Sequence, residues 1–222
     1  MNINYQIIIL ILSNYLIGSV SSAIIITKLV AKTDIRKIGY KTAGGSNVSK
    51  CLGIKWGILV GLLDILKGIP IILLAKYLKI DIIYQSFIGI SVIIGHCWPI
   101  WFNFSGGRGV GTLIGIIATL TPKIAIYPIL IFIFTLVPYF LKRLKNINIK
   151  YINSPSLTLI SLITYIIITL LTEGNYDEIL SISLLLIILI RRVSARINEY
   201  TKSSDPLKLM LNRLIFDNNN PF

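Results

Sequence analysis

Charge is scarce over long stretches of this chain: no Asp, Glu, Lys or Arg occurs from Met1 to Thr27, nor between Asp81 and Arg108. Only 14% of its 222 residues are charged while 55% are hydrophobic. A water-facing surface needs many more charges, so this balance excludes a soluble globular domain. Histidine occurs once, at position 96, and cysteine twice, at Cys51 and Cys97. Two cysteines are too few for a disulfide framework, and neither stands at metal-ligand spacing; both are read as structural thiols. The chain also lacks a Walker-type loop, an HExxH pair, a Gly-x-Ser-x-Gly elbow and a Cys/His cluster. Nucleotide hydrolysis and metalloproteolysis are therefore not expected, and no metal or other cofactor is called for.

What is present is apolar sequence in long runs, as a bilayer core of about 30 Å demands of a spanning helix. Seven spans are expected, near Tyr5–Leu29, Trp56–Ala75, Ile82–Trp101, Val110–Leu120, Ile124–Leu141, Ser156–Leu171 and Ile179–Ile190. Three of them are short for a full crossing. The first run has no basic flank before it and no small-x-small cleavage site, so it is read as a retained helix. The fold class is thus all-α, a polytopic membrane helical bundle. Its net charge of +13 is a matter of topology rather than of nucleic-acid binding. Apart from Lys67, Lys76, Lys79 and Lys123, every one of the 22 basic residues falls on one side if seven helices alternate. The other side holds Glu173, Asp177 and Glu178. By the positive-inside rule the N-terminus lies outside and the C-terminus in the cytoplasm. The polar segment after Arg191 is expected to fray at its end, Asp217-Asn218-Asn219-Asn220.

Three places could carry chemistry. The first is Gly95-His96-Cys97-Trp98-Pro99 followed by Gly106-Gly107-Arg108-Gly109-Val110-Gly111-Thr112, at the cytoplasmic junction of spans 3 and 4. Glycines just before a helix let backbone N–H groups converge on an anion, and the helix N-terminus adds partial positive charge. Arg108 could add a charge-assisted contact to a phosphate. A tight turn with small residues for helix packing is the competing account. His96 could take a proton from an attacking hydroxyl near neutral pH, or serve as a hydrogen-bonded structural residue. The second place is Asp64 and Lys67 inside span 2, which share a helix face and can pair. The third is the first cytoplasmic loop, basic and rich in hydroxyls (Thr42, Ser46, Ser49), with Gly39, Gly44, Gly45 and Asn47 packed into nine residues. Positive-inside charge explains its lysines, but the glycines point to a backbone-built loop with unusual dihedrals.

Taken together, YLIGSVSSA (15–23), DIRKIG (34–39), SNVSKCLG (46–53), DILKG (64–68) and GHCWPIWFNFSGGRGVGT (95–112) resemble the bacterial acyl-phosphate-dependent glycerol-3-phosphate acyltransferase family. The resemblance runs from Tyr15 to about Arg196. It implies a seven-span enzyme of the bacterial inner (plasma) membrane with cytoplasmic active-site loops. Its reaction moves a fatty acyl group from acyl phosphate to the 1-hydroxyl of glycerol 3-phosphate, giving lysophosphatidic acid. On this reading His96, Lys67, Ser46 and Lys50 are the catalytic set. Gly106, Gly107, Arg108, Gly109, Gly111, Thr112, Arg36, Asn47 and Asp64 are the substrate-binding set. Residues 1–196 form one transmembrane acyltransferase-like domain, 197–222 a cytoplasmic polar tail, and the chain is expected to work as a monomer among membrane lipids. Acyl phosphate is already activated, so positioning and charge stabilisation suffice without a metal.

The chain departs from the family's motifs at named positions. Tyr40 stands where the family has a serine, Lys50 where it has an arginine, and Arg108 where lysine is usual. The third motif reads Arg191-Arg192 followed by Ala195-Arg196, without the family's histidine and asparagine. These changes leave two alternatives open. One is a catalytically silent or altered-specificity paralogue that binds a phosphorylated metabolite or lipid. The other is a small transporter built around Asp64 and Lys67.

Overall fold

The computed structural model describes residues 3–145, 154–172, 175–195 and 203–216. The chain forms two compact units, Met1–Leu120 and Thr121–Phe222. Secondary structure among the described residues is helical, with short 3-10 turns.

The first unit contains α1 (Ile3–Ser19), α2 (Ser22–Ala31), α3 (Gly45–Leu52), α4 (Ile54–Leu66), α5 (Ile69–Tyr77), α6 (Ile82–Cys97) and α7 (Val110–Leu120). Three stretches among the described residues are long and apolar enough to cross a membrane: Asn4–Ala31, Ile54–Tyr77 and Ile82–Phe102. Each contains a break that apolar periodicity alone did not show. The first breaks where Ser21 caps α2, its hydroxyl accepting from the Ile24 N–H. The second breaks between α4 and α5, where Pro70 has no N–H to bond the last turn of α4. The third turns at Trp98-Pro99 into a 3-10 turn, Ile100–Phe102. Shorter apolar helical stretches are Val110–Leu120, Pro122–Ile131 and Leu159–Leu171.

Glycine decides how closely the helices of this unit approach. A Cβ on Gly18 would strike the Val92 backbone carbonyl, and one on Gly95 the Tyr15 carbonyl, so α1 and α6 lie backbone to backbone. Asn14 Nδ2 donates across the same seam to Ile88 O at 2.6 Å, and Tyr15 Oη to Trp98 O at 3.0 Å. Gly115 meets the Ile65 carbonyl in the same manner, bringing α7 against α4. Small residues and interhelical hydrogen bonds are the means by which helices associate without a hydrophobic drive between them. Large apolar side chains such as Leu12, Leu62, Leu66, Leu73 and Tyr77 face outward, as a lipid-facing surface requires.

The second unit contains α8 (Pro122–Lys145), α9 (Ser154–Leu171), α10 (Asn175–Ser194) and α11 (Pro206–Phe216). Tyr165 is fully buried, with its hydroxyl 2.9 Å from Thr121 Oγ1, and Thr169 bonds Ser181 between α9 and α10. The stretch read above as a polar tail thus carries a helix. Its signal was in the sequence: Asp205 Oδ1 accepts from the Lys208 N–H at 3.0 Å and Pro206 takes the first helical position. Residues 217–220, expected to fray, lie outside the described residues, as do Lys150, Glu173, Arg196 and Lys202, which entered the assignment of sides.

Candidate active site

A buried charged cluster sits where three helices of the first unit meet. Asp64 is on the last turn of α4, Lys67 directly follows that helix, His96 is near the end of α6, and Ser22 opens α2. Lys67 Nζ lies 3.2 Å from Asp64 Oδ1 and 2.6 Å from His96 Nδ1. Ser22 Oγ donates to the same carboxylate oxygen at 2.7 Å, and His96 Nδ1 stands 3.7 Å from it. The break between α1 and α2 completes the set. Gly18 and Val20 carbonyl oxygens at the end of α1 accept from Lys67 Nζ at 3.3 and 3.5 Å. Carbonyls at a helix C-terminus lack intrahelical donors and favour a cation, which is why the ammonium settles there. Sequence reasoning found the Asp64 and Lys67 pair but missed Ser22 and the two carbonyls; the break that exposes them was marked only by Ser21-Ser22.

The glycine loop lies against this cluster. Gly106 and Gly107 donate their N–H groups to Cys97 O at 3.2 Å and His96 O at 3.1 Å, capping the end of α6. Their N–H groups are thereby engaged within the chain, and the two glycines act first through close packing. Gly107 abuts the imidazole at Nε2 and the Ala43 carbonyl. Gly109 has φ +81°, a region that side-chain-bearing residues avoid, and its carbonyl takes the Leu113 N–H at 2.8 Å as α7 begins. Gly111 and the fully buried Thr112 follow on the first turn of α7, with Gly111 against the Asp64 side chain. Arg108, half-buried, stands on the loop just ahead of this helix N-terminus. The start and end of α7 coincide with the span expected from sequence.

The first loop is tied to the glycine loop by Arg36. Its guanidinium holds Asp34 through Nε and Nη2, at 2.7 Å for the latter, and Nη1 reaches Phe102 O at 2.8 Å and Ser105 O at 3.2 Å. Asn47 is fully buried beneath the loop. Its Nδ2 bonds the Ile35, Ile38 and Thr42 carbonyls while Oδ1 accepts from the Tyr40 N–H. This makes it a support for the loop's shape. Gly39 at φ +59° and Lys41 at φ +56° supply the unusual dihedrals expected there. Ser46 and Lys50 are exposed on α3, and the Lys50 ammonium lies 3.9 Å from the centroid of the Tyr40 ring. The two first-motif departures thus contact each other in a cation–π pair.

The Arg36 side-chain hydrogen bond holds the Asp34 carboxyl below its ordinary value, outweighing the partial burial that opposes it. A carboxylate with a lowered folded value stabilises the fold above its ordinary titration range, and that contribution disappears as pH falls through the lowered value. The Asp34–Arg36 pair, which orients the guanidinium that ties the loops, should therefore survive acidification through the ordinary carboxylate range. Below the lowered value it should open, read as faster amide exchange around Ile35–Lys37.

Arg191 and Arg192, from the eroded third motif, are buried at the end of α10 in the second unit. Arg192 Nη1 bonds Leu214 O and Arg213 Nη1 bonds Ala195 O, each at 2.7 Å, so each helix of the pair α10 and α11 supplies an arginine to the other's carbonyls. Arg196, the last residue of that motif, is outside the described residues.

Comparison with known proteins adds an independent observation. A family model described as glycerol-3-phosphate acyltransferase matches residues 8–202. The glycerol-3-phosphate acyltransferase of Aquifex aeolicus is 37% identical over 125 residues, covering 56% of this chain and 65% of that protein. That of Halalkalibacterium halodurans is 42% identical over 120 residues, covering 53% and 58%. The chain thus spans somewhat under two thirds of the length of these two relatives. Among solved structures, the glycerol 3-phosphate form of PlsY (YgiH), an integral membrane glycerol 3-phosphate acyltransferase, superimposes with a TM-score of 0.72 at 28% identity. That superposition covers 89% of this chain and 92% of the other. The lysophosphatidic acid form gives 0.69 at 26%.

Proposed function

Since this chain belongs to the glycerol-3-phosphate acyltransferase family, we propose that it is a membrane enzyme that moves a fatty acyl group from acyl phosphate to the 1-hydroxyl of glycerol 3-phosphate. The product is lysophosphatidic acid, a precursor in phospholipid biosynthesis. The observation that carries this reading is the buried Asp64, Lys67 and His96 cluster lying directly against the glycine loop that opens α7. That arrangement brings cationic and N–H groups to one end of a bundle, where two phosphorylated substrates need them. The family match favours acyl transfer over the silent-binder and transporter readings.

The reaction balances without a cofactor. The acceptor oxygen forms a bond to the acyl carbon, the bond from that carbon to the phosphate oxygen breaks, and the acceptor's proton leaves with the phosphate. Negative charge develops on the acyl oxygen and then on the departing phosphate, so preorganised donors are what the site must supply. Arg108, with Gly109, Gly111 and Thr112 at the start of α7, holds a phosphate at the helix N-terminus. Gly106 and Gly107 let the loop approach closely. Arg36 and Asn47 set the shape of the facing loop, from which Ser46 and Lys50 reach substrate. Asp64, Lys67 and His96 act from beneath.

We place the enzyme in the bacterial inner membrane with seven spans, the N-terminus outside, and the basic loops in the cytoplasm. Residues 1–196 make the transmembrane acyltransferase-like domain and 197–222 the cytoplasmic tail, the whole acting as a monomer. The charge distribution supports this orientation.

Purified protein in detergent should release phosphate from palmitoyl phosphate only when glycerol 3-phosphate is present. Arg108→Ala should lower that release about 100-fold, the scale for removing one charge-stabilising donor. Acceptor-independent release, or none by the unmodified protein, would sink the proposal; full activity in Arg108→Ala would remove Arg108 from it.

A further inference from the structure

His96 is the only histidine in the chain, and the structure assigns it a protonation form that its sequence context leaves open. We infer that Lys67 locks His96 as the neutral tautomer protonated on Nε2, so that the ring serves the glycine loop as a hydrogen-bond donor and not as a base.

The case rests on which partners each group has already taken. Lys67 Nζ has three hydrogens and four acceptors within reach: Asp64 Oδ1, His96 Nδ1, Gly18 O and Val20 O. Its shortest contact, 2.6 Å, is to the imidazole. An ammonium can only donate, so Nδ1 must present its lone pair, and the single proton of a neutral ring then sits on Nε2. Asp64 does not pull a proton onto Nδ1 instead, because the distances decide against it. Its Oδ1 is closer to the ammonium, at 3.2 Å, than to Nδ1, at 3.7 Å, and it also takes the Ser22 hydroxyl at 2.7 Å. Protonating Nδ1 as well would set two N–H donors against each other 2.6 Å apart.

The other ring nitrogen faces the loop. A Cβ at Gly107 would collide with Nε2, so this N–H edge lies directly against Gly107, one residue before Arg108. A ring that accepts a bond from an ammonium on one side is polarised, which strengthens the donor on its other side. Lys67 is thereby a positioning residue that acts through His96. Asp64, Ser22 and the two carbonyls at the end of α1 position Lys67 in turn. The use of the Nε2–H in acyl transfer rests on the function proposed above; the tautomer does not.

The test has two parts with separate fates. Histidine-selective 15N labelling of the full chain in detergent gives one imidazole, and long-range proton–nitrogen correlation near neutral pH reads both nitrogens directly. The expected pattern is a bare Nδ1 and a protonated Nε2, with the Nδ1 signal moving toward an unbonded nitrogen in Lys67→Met. A protonated Nδ1, or a doubly protonated ring, overturns the inference. The spectrum of the unmodified protein needs no variant and no activity, so it decides the tautomer even if acyl transfer is absent or Lys67→Met fails to fold. An unmoved Nδ1 signal in a folded Lys67→Met overturns the role of Lys67. For the role, His96→Gln keeps an N–H near the Nε2 position and has no nitrogen that takes a proton at neutral pH. It should stay within about 10-fold of the unmodified enzyme while His96→Ala falls about 100-fold, the loss typical of a missing donor. Equal loss in both variants overturns the donor role.

Discussion

Gly107→Ala is expected to cost the proposed acyl transfer about 100-fold or more while leaving the helical bundle folded. The added Cβ would stand 2.5 Å from the Ala43 carbonyl oxygen and closer still to His96 Nε2. Neither neighbour gives way cheaply. Ala43 is fully buried backbone in the first loop, and the imidazole is held from its far side by Lys67. The loop must therefore lift away from the ring, and displacement of about 1 Å at a reacting centre is enough for a loss of this size. The site is also tied to its surroundings by the two N–H bonds from Gly106 and Gly107 to the end of α6, which the shift would strain. Phosphate release from palmitoyl phosphate gives the rate, and far-UV circular dichroism in detergent shows whether the helices persist. Activity within a few-fold of the unmodified enzyme would mean that the loop does not need this contact.

Asp64→Ala should cost the first unit about 3 to 5 kcal/mol of stability. Asp64 is 5% exposed, and its removal leaves Lys67 with carbonyls and an imidazole but no counter-charge. It also leaves the Ser22 hydroxyl without its acceptor. Removing one member of a buried ion pair costs far more than the pair contributes, because the remaining charge keeps its desolvation penalty. The double substitution Asp64→Leu with Lys67→Met should accordingly recover much of the loss, since no charge is then stranded. Reversible unfolding in mixed detergent micelles measures both. If the double variant is as unstable as Asp64→Ala, the damage comes from lost packing against Gly111 rather than from an unpaired ammonium.

The candidate site residues could be named from the chain, but the contacts among them could not. Asp64 and Lys67 stand three positions apart on one helix, so periodicity alone put them together. His96 reaches Lys67 across 29 residues of sequence, and Arg36 reaches Phe102 across 66; no local pattern records either contact. Asn47 shows the same limit from the other side: the resemblance made it a candidate for substrate binding, and the structure adds that its polar atoms shape the loop from beneath. In an isolated sequence a buried amide that organises backbone and an exposed one that meets a ligand carry the same signal.

By itself, the sequence determined the membrane class, the approximate places of the helices, the family and the boundaries of α7. The membrane class and the places of the helices follow from free energies that are local and additive, such as apolar runs, charge-free stretches and glycines at helix ends, whereas the family was read from the resemblance of motifs between Tyr15 and Thr112. Tertiary structure alone decided that α1 breaks to offer carbonyls to Lys67, that Ser22 supports Asp64, and which nitrogen of His96 faces the glycine loop. Those outcomes depend on Gly18, Gly95 and Gly115 letting backbones approach until buried polar groups have only each other as partners, a condition set by packing in three dimensions.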